Sequence, residues 1–329
     1  MEISILLEKN DIRRIKADVL VLKYAQKFHT GPDAQAFSTL AIVHKGLDKK
    51  LPKPRSFLLV ESKGSLPAAN VLFSGVVDIE KFRYHRIRDF SFNSLRYLAR
   101  AKPEAEHICF TLHGVNYGLD ESEAFEAEVA GLMDAIEKGI YPSHLKKITI
   151  VDIHAPRVER LKSVLANLLA DGSINVQERQ ALARRDTSPE RPISDAGISS
   201  QEKPLIFVAM PFDKKMDDIF HYGIQNAVNR AGYLCERADM VAYTGDILDF
   251  VKRRIGKAKL IIADLTSTNA NVYLEVGYAW GRNIPTVLIA QDAQELKFDV
   301  KGQKCIIYSS IQELEKKLGE ELLALTKKP

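Results

Sequence analysis

Three short stretches in the C-terminal part of this chain put carboxylates just after apolar runs, where loops leave strands. They are Met210-Pro211-Phe212-Asp213 after Leu205–Ala209, Ala238-Asp239 with Thr244-Gly245-Asp246 after Tyr233–Glu236, and Asp264-Leu265-Thr266 after Leu260–Ala263. Asn271 and Glu275 follow on the next helical segment. Carboxylates so placed can hold sugar hydroxyls, and a glycine turn at Gly245, feeding a helix that starts near Asp246, offers backbone N–H groups to a phosphate. The chemistry to which these residue types point is nucleotide recognition. An earlier stretch, Thr111-Leu-His113-Gly114-Val-Asn-Tyr117-Gly118, also follows an apolar run and precedes a helical one. Its glycines would let backbone N–H groups approach a second phosphate. His113 alone among the eight histidines is placed to reach a ligand, and none of them forms a metal spacing, so no metal is expected.

Each feature also has a plainer use. Glycines at 114 and 118 can serve only the packing of a strand-to-helix turn, Asp264 can cap a helix, and Glu275 can be a partner for a helix dipole. Arg237 and Asp239 read as a surface pair. The run Lys252-Arg-Arg-Ile-Gly-Lys-Ala-Lys259 reads mainly as a solvated helix end. Asp171-Gly-Ser-Ile-Asn175-Val-Gln-Glu178 has the latter half of an EF-hand loop, but Leu169 occupies a ligand position, so a helix-to-helix turn is expected.

Elements must hold these groups in place. From residue 205 onward, apolar runs at 205–209, 233–236, 260–263, 286–290 and 304–308 alternate with helical patterns at 217–232, 246–254, 274–282 and 311–325. Strict alternation with continuous apolar strands predicts a flavodoxin-like five-stranded parallel sheet, order 2-1-3-4-5, with its crevice at the carboxyl ends of the strands. Residues 1–165 read as another α/β domain, with strands at 17–22, 56–60, 70–73, 107–110 and 147–151 and helices at 82–102 and 122–139. Between them, 166–204 reads as a short helical segment and a linker, since 184–204 is rich in Pro, Ser and charge and has no period. The expected division is therefore 1–165, 166–204 and 205–329.

Composition narrows the class. The chain has 329 residues, 46% apolar and 27% charged, which fits two globular domains and neither a disordered chain nor a coiled coil. No apolar run is long enough to span a membrane and no secretory leader is evident, so a cytoplasmic protein without a membrane partner is expected. Cys109, Cys235 and Cys305 are widely separated and suit neither a disulfide framework nor a metal. A net charge of +4 makes nucleic acid an unlikely partner.

The strings Phe207-Val-Ala-Met210-Pro-Phe-Asp213, Ile261-Ile-Ala-Asp264-Leu-Thr-Ser-Thr-Asn269-Ala-Asn271-Val-Tyr-Leu-Glu275-Val-Gly277 and Leu296-Lys-Phe-Asp-Val-Lys-Gly302 together resemble the nucleoside 2-deoxyribosyltransferase-like superfamily, on its bacterial branch bordering TIR domains. The resemblance covers about 205–325 and is most specific at 264–277. It implies an N-glycosidase, hydrolase or transferase, with Glu275 attacking or stabilising the anomeric carbon. Physics is compatible: cleavage builds positive charge at C1, which a nearby carboxylate stabilises. On this resemblance Asp264 would orient the sugar or protonate the leaving base, and Asn271 would bond the ribose. Met210, Pro211, Phe212, Asp239, Gly245 and Asp246 would complete the substrate site. The transferases proper carry Asp-x-Gly-Thr-x-x-Glu, whereas Asn269-Ala-Asn-Val-Tyr-Leu-Glu275 lacks the first carboxylate and the Gly-Thr pair. Two readings are left: hydrolysis of a ribonucleotide, with NAD a substrate rather than a cofactor, or nucleotide binding without turnover.

Ala17-Asp-Val-Leu-Val-Leu22, a loop containing Gly31, and the 111–118 stretch resemble macro domains over about 1–165. That implies an α/β macro-like domain that binds ADP-ribose or a related nucleotide through Gly31, His113, Gly114, Tyr117 and Gly118, as a sensor of a nucleotide second messenger. The two resemblances together imply a regulated bacterial antiphage effector, one that would work as a homo-oligomer. The rival is a non-catalytic nucleotide-binding signalling protein.

Overall fold

The structure, a computed structural model, describes residues 2–25, 31–77, 83–115, 119–169, 172–177, 193–237 and 247–326. The chain forms two compact units: 1–115 with 121–201, and 116–120 with 202–329.

The first unit is built on a seven-stranded mixed sheet, order β3-β4-β2-β5-β6-β1-β7. Its strands are β1 (Glu2–Lys9), β2 (Val19–Ala25), β3 (Phe57–Glu61), β4 (Asn70–Val76), β5 (His107–Thr111), β6 (Lys147–Asp152) and β7 (Ser173–Asn175). Only the edge pairs β3–β4 and β1–β7 are antiparallel. The interior strands β2 and β5 are buried on both faces, which explains their unbroken apolar runs. Helix α1 (Gly31–Val43) packs Ala36 and Leu40 on the face that carries Leu20, Leu22 and Phe73. On the other face lie α2 (Tyr84–Ala101) and α3 (Glu121–Glu137), with Phe90 of α2 edge-on to Phe110 of β5. Helix α4 is Ala155–Leu168.

Helices α2 and α3 touch through backbone. A Cβ on Gly131 would meet the Arg88 carbonyl oxygen at 2.1 Å, and Ser91 Oγ bridges the pair by donating to the Glu128 carbonyl at 2.8 Å. Gly131→Ala is expected to cost about 2–3 kcal/mol, because the helices must part. A urea midpoint unchanged from wild type would contradict this.

Three expectations change here. Gly31 is not in a loop but is the first residue of α1. Where a helix-to-helix turn was expected after α4, β7 pairs with β1 in register Ile3↔Ile174, and the Gly172 carbonyl accepts from Ile5 N–H at 2.8 Å, while Asp171 and Glu178 lie outside the described residues. Finally, the end of the expected linker is docked on its own unit. Arg88 Nη1 donates to the carbonyls of Ser194 and Ala196 at 2.7 and 2.8 Å, and Ile193 and Ala196 are buried. The Pro and Ser content of 184–204 gave no sign of these tertiary anchors, and 184–192 lies outside the described residues.

The second unit has five parallel strands in order β12-β11-β10-β8-β9. They are β8 (Leu205–Ala209), β9 (Leu234–Arg237), β10 (Leu260–Asp264), β11 (Thr286–Ala290) and β12 (Cys305–Ile307). Numbered within the unit, this is the flavodoxin-like 2-1-3-4-5. One face carries the 219–230 helix and the Ile311–Thr326 helix, whose Phe220, Ile224, Leu314 and Leu318 pack on Ile206, Val208, Ile262 and Ile289. Gly223 permits their approach, since a Cβ there would lie 2.8 Å from Leu314. The first of these helices is regular only from Asn226; Ile219–Gln225 is a π-helical stretch. The Ala270–Gly281 helix packs on β8, β10 and β11 and beside the Ile247–Ile255 helix.

Candidate functional site

In the second unit the helix after β8 and the helix after β10 cover opposite faces of adjacent parallel strands. A crevice therefore opens at their carboxyl ends. The register Ala209↔Ala263 makes Met210 and Asp264 neighbours there. Met210 and Pro211 are buried and Phe212 is 53% exposed. Asp213 caps the next turn by accepting from Lys215 N–H at 3.0 Å.

Asp264 is fully buried, and both its oxygens are engaged. Oδ1 accepts from the Thr266 N–H at 3.0 Å and Oδ2 from the Tyr308 hydroxyl at 2.7 Å. Burial raises its pKa, and these hydrogen bonds oppose the rise. Tyr308 is itself raised by burial and by the Asp264 charge. The pair ties the end of β10 to the residue after β12. By strand alternation Asp264 shares the face of Leu260 and Ile262.

Glu275 lies on the helix covering the other face, and no hydrogen bond joins it to Asp264. The helix begins at Ala270, capped by Asn269 Oδ1 accepting from Asn271 N–H at 2.9 Å, rather than near Leu274. Glu275 is thus in the second turn, beyond the end where the dipole acts most strongly. Val272, Val276 and Ala279 form the buried stripe. Glu275 flanks it, half-buried, with no hydrogen-bond or ion-pair partner among the described residues. Burial alone pushes its pKa up to about 7. Asn271, one turn earlier, is exposed. Asp239, Gly245 and Asp246 lie outside the described residues.

The expected surface pair at 237 is replaced by a buried arrangement. Arg237 is 8% exposed, donates to Asp217 Oδ1 at 3.0 Å and stacks 4.3 Å over the Phe220 ring. Nor is the basic cluster wholly solvated: Arg254 turns inward and pairs with buried Glu236 of β9. Glu236 and Arg237 end an edge strand whose four residues are all buried.

The first unit repeats the topological device. Adjacent parallel strands β2 and β5 are followed by α1 and α3 on opposite faces, so a crevice opens at their ends. Around it lie groups that pattern reading passed over. Lys23 Nζ is 3.6 Å from Asp33 Oδ2, and Thr111 Oγ1 donates to Asp33 Oδ1 at 3.3 Å. A lysine within Val19–Ala25 was the available signal. Gly114 has φ +84, which favours glycine. His113, expected to reach a ligand, is fully buried: its ring meets Phe90 edge-on at 3.9 Å and its backbone N–H donates to Glu128 Oε2 at 3.0 Å. Burial holds its pKa well below the ordinary value. Tyr117 and Gly118 lie outside the described residues.

Glu128 is also fully buried, and burial raises its pKa to about 8. Between its unfolded value near 4.5 and 8, the folded state holds a proton that the unfolded state has lost. Stability from this group therefore falls as pH rises through that window. Glu128→Gln should gain on wild type between pH 5 and 8.5, by at most about 4 kcal/mol at roughly 1.4 kcal/mol per unit. Urea midpoints at the two pH values check it, and parallel shifts in both proteins would refute it.

No family model matches the chain, and no curated protein matches it. Among solved structures it is similar to a Trypanosoma brucei macrodomain in complex with ADP-ribose, with TM-score 0.41 and 17% identity, covering 49% of this chain and 69% of that one. It is also similar to an Oceanobacillus iheyensis macrodomain with ADP, at TM-score 0.38 and 14% identity, covering 50% and 91%. A third is the macro domain of ganglioside induced differentiation associated protein 2, at 0.39 and 16%, covering 50% and 83%. The likeness falls on the N-terminal half.

Among the described residues no helix is long and apolar enough to cross a membrane, and no group of three or more His, Cys, Asp or Glu could hold a metal ion.

Proposed function

We propose that the second unit acts on the N-glycosidic bond of a nucleotide, with NAD the first substrate to try. The first unit would hold a nucleotide of the ADP-ribose class in its β2/β5 crevice. The observation that carries this is Glu275: a half-buried carboxyl with no partner among the described residues and a pKa near 7, in the block 264–277 where the superfamily resemblance is most specific. An unpaired, desolvated carboxylate costs stability, and a developing oxocarbenium charge at C1 would offset that cost only in the transition state. Ionised Glu275 would stabilise C1 or bond to it while the base departs, and water or a second acceptor would then take the glycosyl group. Asp264, with both oxygens occupied, acts here by fixing the crevice floor through Tyr308. Regulated defence, with the first unit as sensor, is the setting that fits such an activity.

That same occupancy of Asp264 favours a second reading. With no free partner acid at Glu275, the unit could bind nucleotides without turning them over.

A chromatographic time course with NAD and with a panel of ribo- and deoxyribonucleosides and their monophosphates separates the two. Release of a free base is expected from NAD. No release from any substrate, with nucleotides still raising the melting temperature, would favour the binding reading. ADP-ribose and ADP are the first probes for the first unit.

A further inference from the structure

A cationic groove in the first unit shares a wall with the β2/β5 crevice, since Phe90 in its lining also meets His113. It runs between α2 and the β3–β4 edge as two adjoining cavities of about 280 and 480 Å³ that share Phe57, Asn93 and Arg96. Arg55 and Arg86 line the first cavity and Arg100 the second. Arg55, Arg96 and Arg100 are exposed and have no ion-pair partner among the described residues. Arg86 has only a 3.9 Å contact with Asp89 on its own helix. Among the described residues, Asp89 is the single carboxylate in the lining of either cavity.

The helix sets the spacing. Positions 86, 89, 93, 96 and 100 recur every three or four residues, so they form one stripe on α2. At about 1.5 Å per residue, Arg86 and Arg100 stand roughly 21 Å apart along the axis. Arg55 is brought in from the opposite wall by a turn that packs closely on Gly75. Gly75 has no room for a side chain, since a Cβ would fall 2.0 Å from the Lys53 carbonyl oxygen. The Gly75 carbonyl accepts from Arg55 N–H at 2.9 Å, and Arg55 itself takes φ +67, a left-handed conformation that is costly for an arginine. Between the guanidinium rows, Phe57 and Tyr97 stack at 4.8 Å and both line the second cavity.

The geometry points to a binding site for a short single-stranded oligonucleotide, its phosphates on Arg55, Arg86, Arg96 and Arg100 and its bases against the Phe57–Tyr97 wall. A single phosphate would need neither the length of the stripe nor the aromatic wall. Guanidinium rows track a phosphodiester backbone, and aromatic side chains beside them supply stacking for successive bases. A chain-wide net charge of +4 does not show this concentration of arginines along one helix. The four arginines, Phe57 and Tyr97 are distinct from the groups named around the β2/β5 crevice and from Glu275.

The test uses the full chain and a fluorescent tetradeoxythymidylate, read by anisotropy from 25 to 300 mM salt. Wild type should bind at low salt with an affinity that falls as salt rises. Arg96→Gln with Arg100→Gln should weaken binding at least about tenfold and flatten the salt slope, by roughly 0.7 for each lost phosphate contact. Tyr97→Leu, checked for folding by its melting curve, should weaken binding with the salt slope unchanged. Glu275→Gln should bind as wild type does. Inorganic tripolyphosphate competing as well as the oligonucleotide would overturn the base-reading assignment. Absence of binding at 25 mM salt, or binding indifferent to the arginine changes, would overturn the site altogether.

Discussion

Glu275→Gln should reduce base release by about three orders of magnitude while leaving the protein folded and, at pH 8, more stable than wild type. The amide keeps the shape of the carboxyl but cannot carry the negative charge that a cationic transition state requires. Losses of this size are usual when a nucleophile or principal electrostatic partner is removed. The stability gain has a separate cause. Burial raises Glu275 to about 7 from an ordinary 4.5, so above pH 7 the folded state bears a charge it has poorly solvated. In the unfolded chain that charge costs nothing extra. The penalty is absent below about pH 4.5, grows as pH rises toward 7 and is constant beyond. For a half-buried group, solvent screening reduces it to about 1–2 kcal/mol. A thermal melt at pH 8 against pH 4.5 should show the variant ahead only at the higher pH. Equal melting curves at both would show that Glu275 is not held in a costly state. A site residue that opposes stability is what function tends to leave behind.

Arg254→Met is expected to be the more damaging change for folding, at about 3–5 kcal/mol. It removes the guanidinium that neutralises Glu236, whose side chain is 4% exposed at the end of β9. Removing one member of a buried ion pair costs more than the pair contributed. Glu236→Leu with Arg254→Met should recover most of the loss, because well-packed apolar groups replace such pairs without great cost. Chemical denaturation of the two variants measures this. A single variant within about 1 kcal/mol of wild type would mean that the pair contributes nothing. The pair matters for the site as well, since it ties the Ile247–Ile255 helix to the edge strand.

The C-terminal architecture was readable because parallel strands buried on both faces give continuous apolar runs, and Thr286–Ala290 is both the apolar run and the strand. Alternation with helices then fixed the order 2-1-3-4-5. The helix starts one turn earlier than apolar spacing from Leu274 suggested, because the Asn269 side chain caps it at Ala270. That matters for Glu275, whose place in the second turn removes the helix-dipole explanation. Asp264 was legible as a strand-end carboxylate, whereas its bond to Tyr308 spans 44 positions and leaves no local pattern. In the first unit, α1 was missed because its residues Gly31–Val43 are apolar nearly all round, so no amphipathic stripe announces a helix. β7 was missed because three residues at an antiparallel edge carry almost no periodicity. The Lys23–Asp33–Thr111 group joins residues from three elements, which adjacency along the chain cannot reveal.

The most direct test of Glu275 as the reacting carboxylate is the pH dependence of base release from NAD, measured as kcat/KM between pH 5.5 and 8.5. Release should rise with pH, bend near the value of about 7 that burial gives Glu275, and level off once the carboxylate is ionised. A flat profile, or one retained by Glu275→Gln, would contradict it.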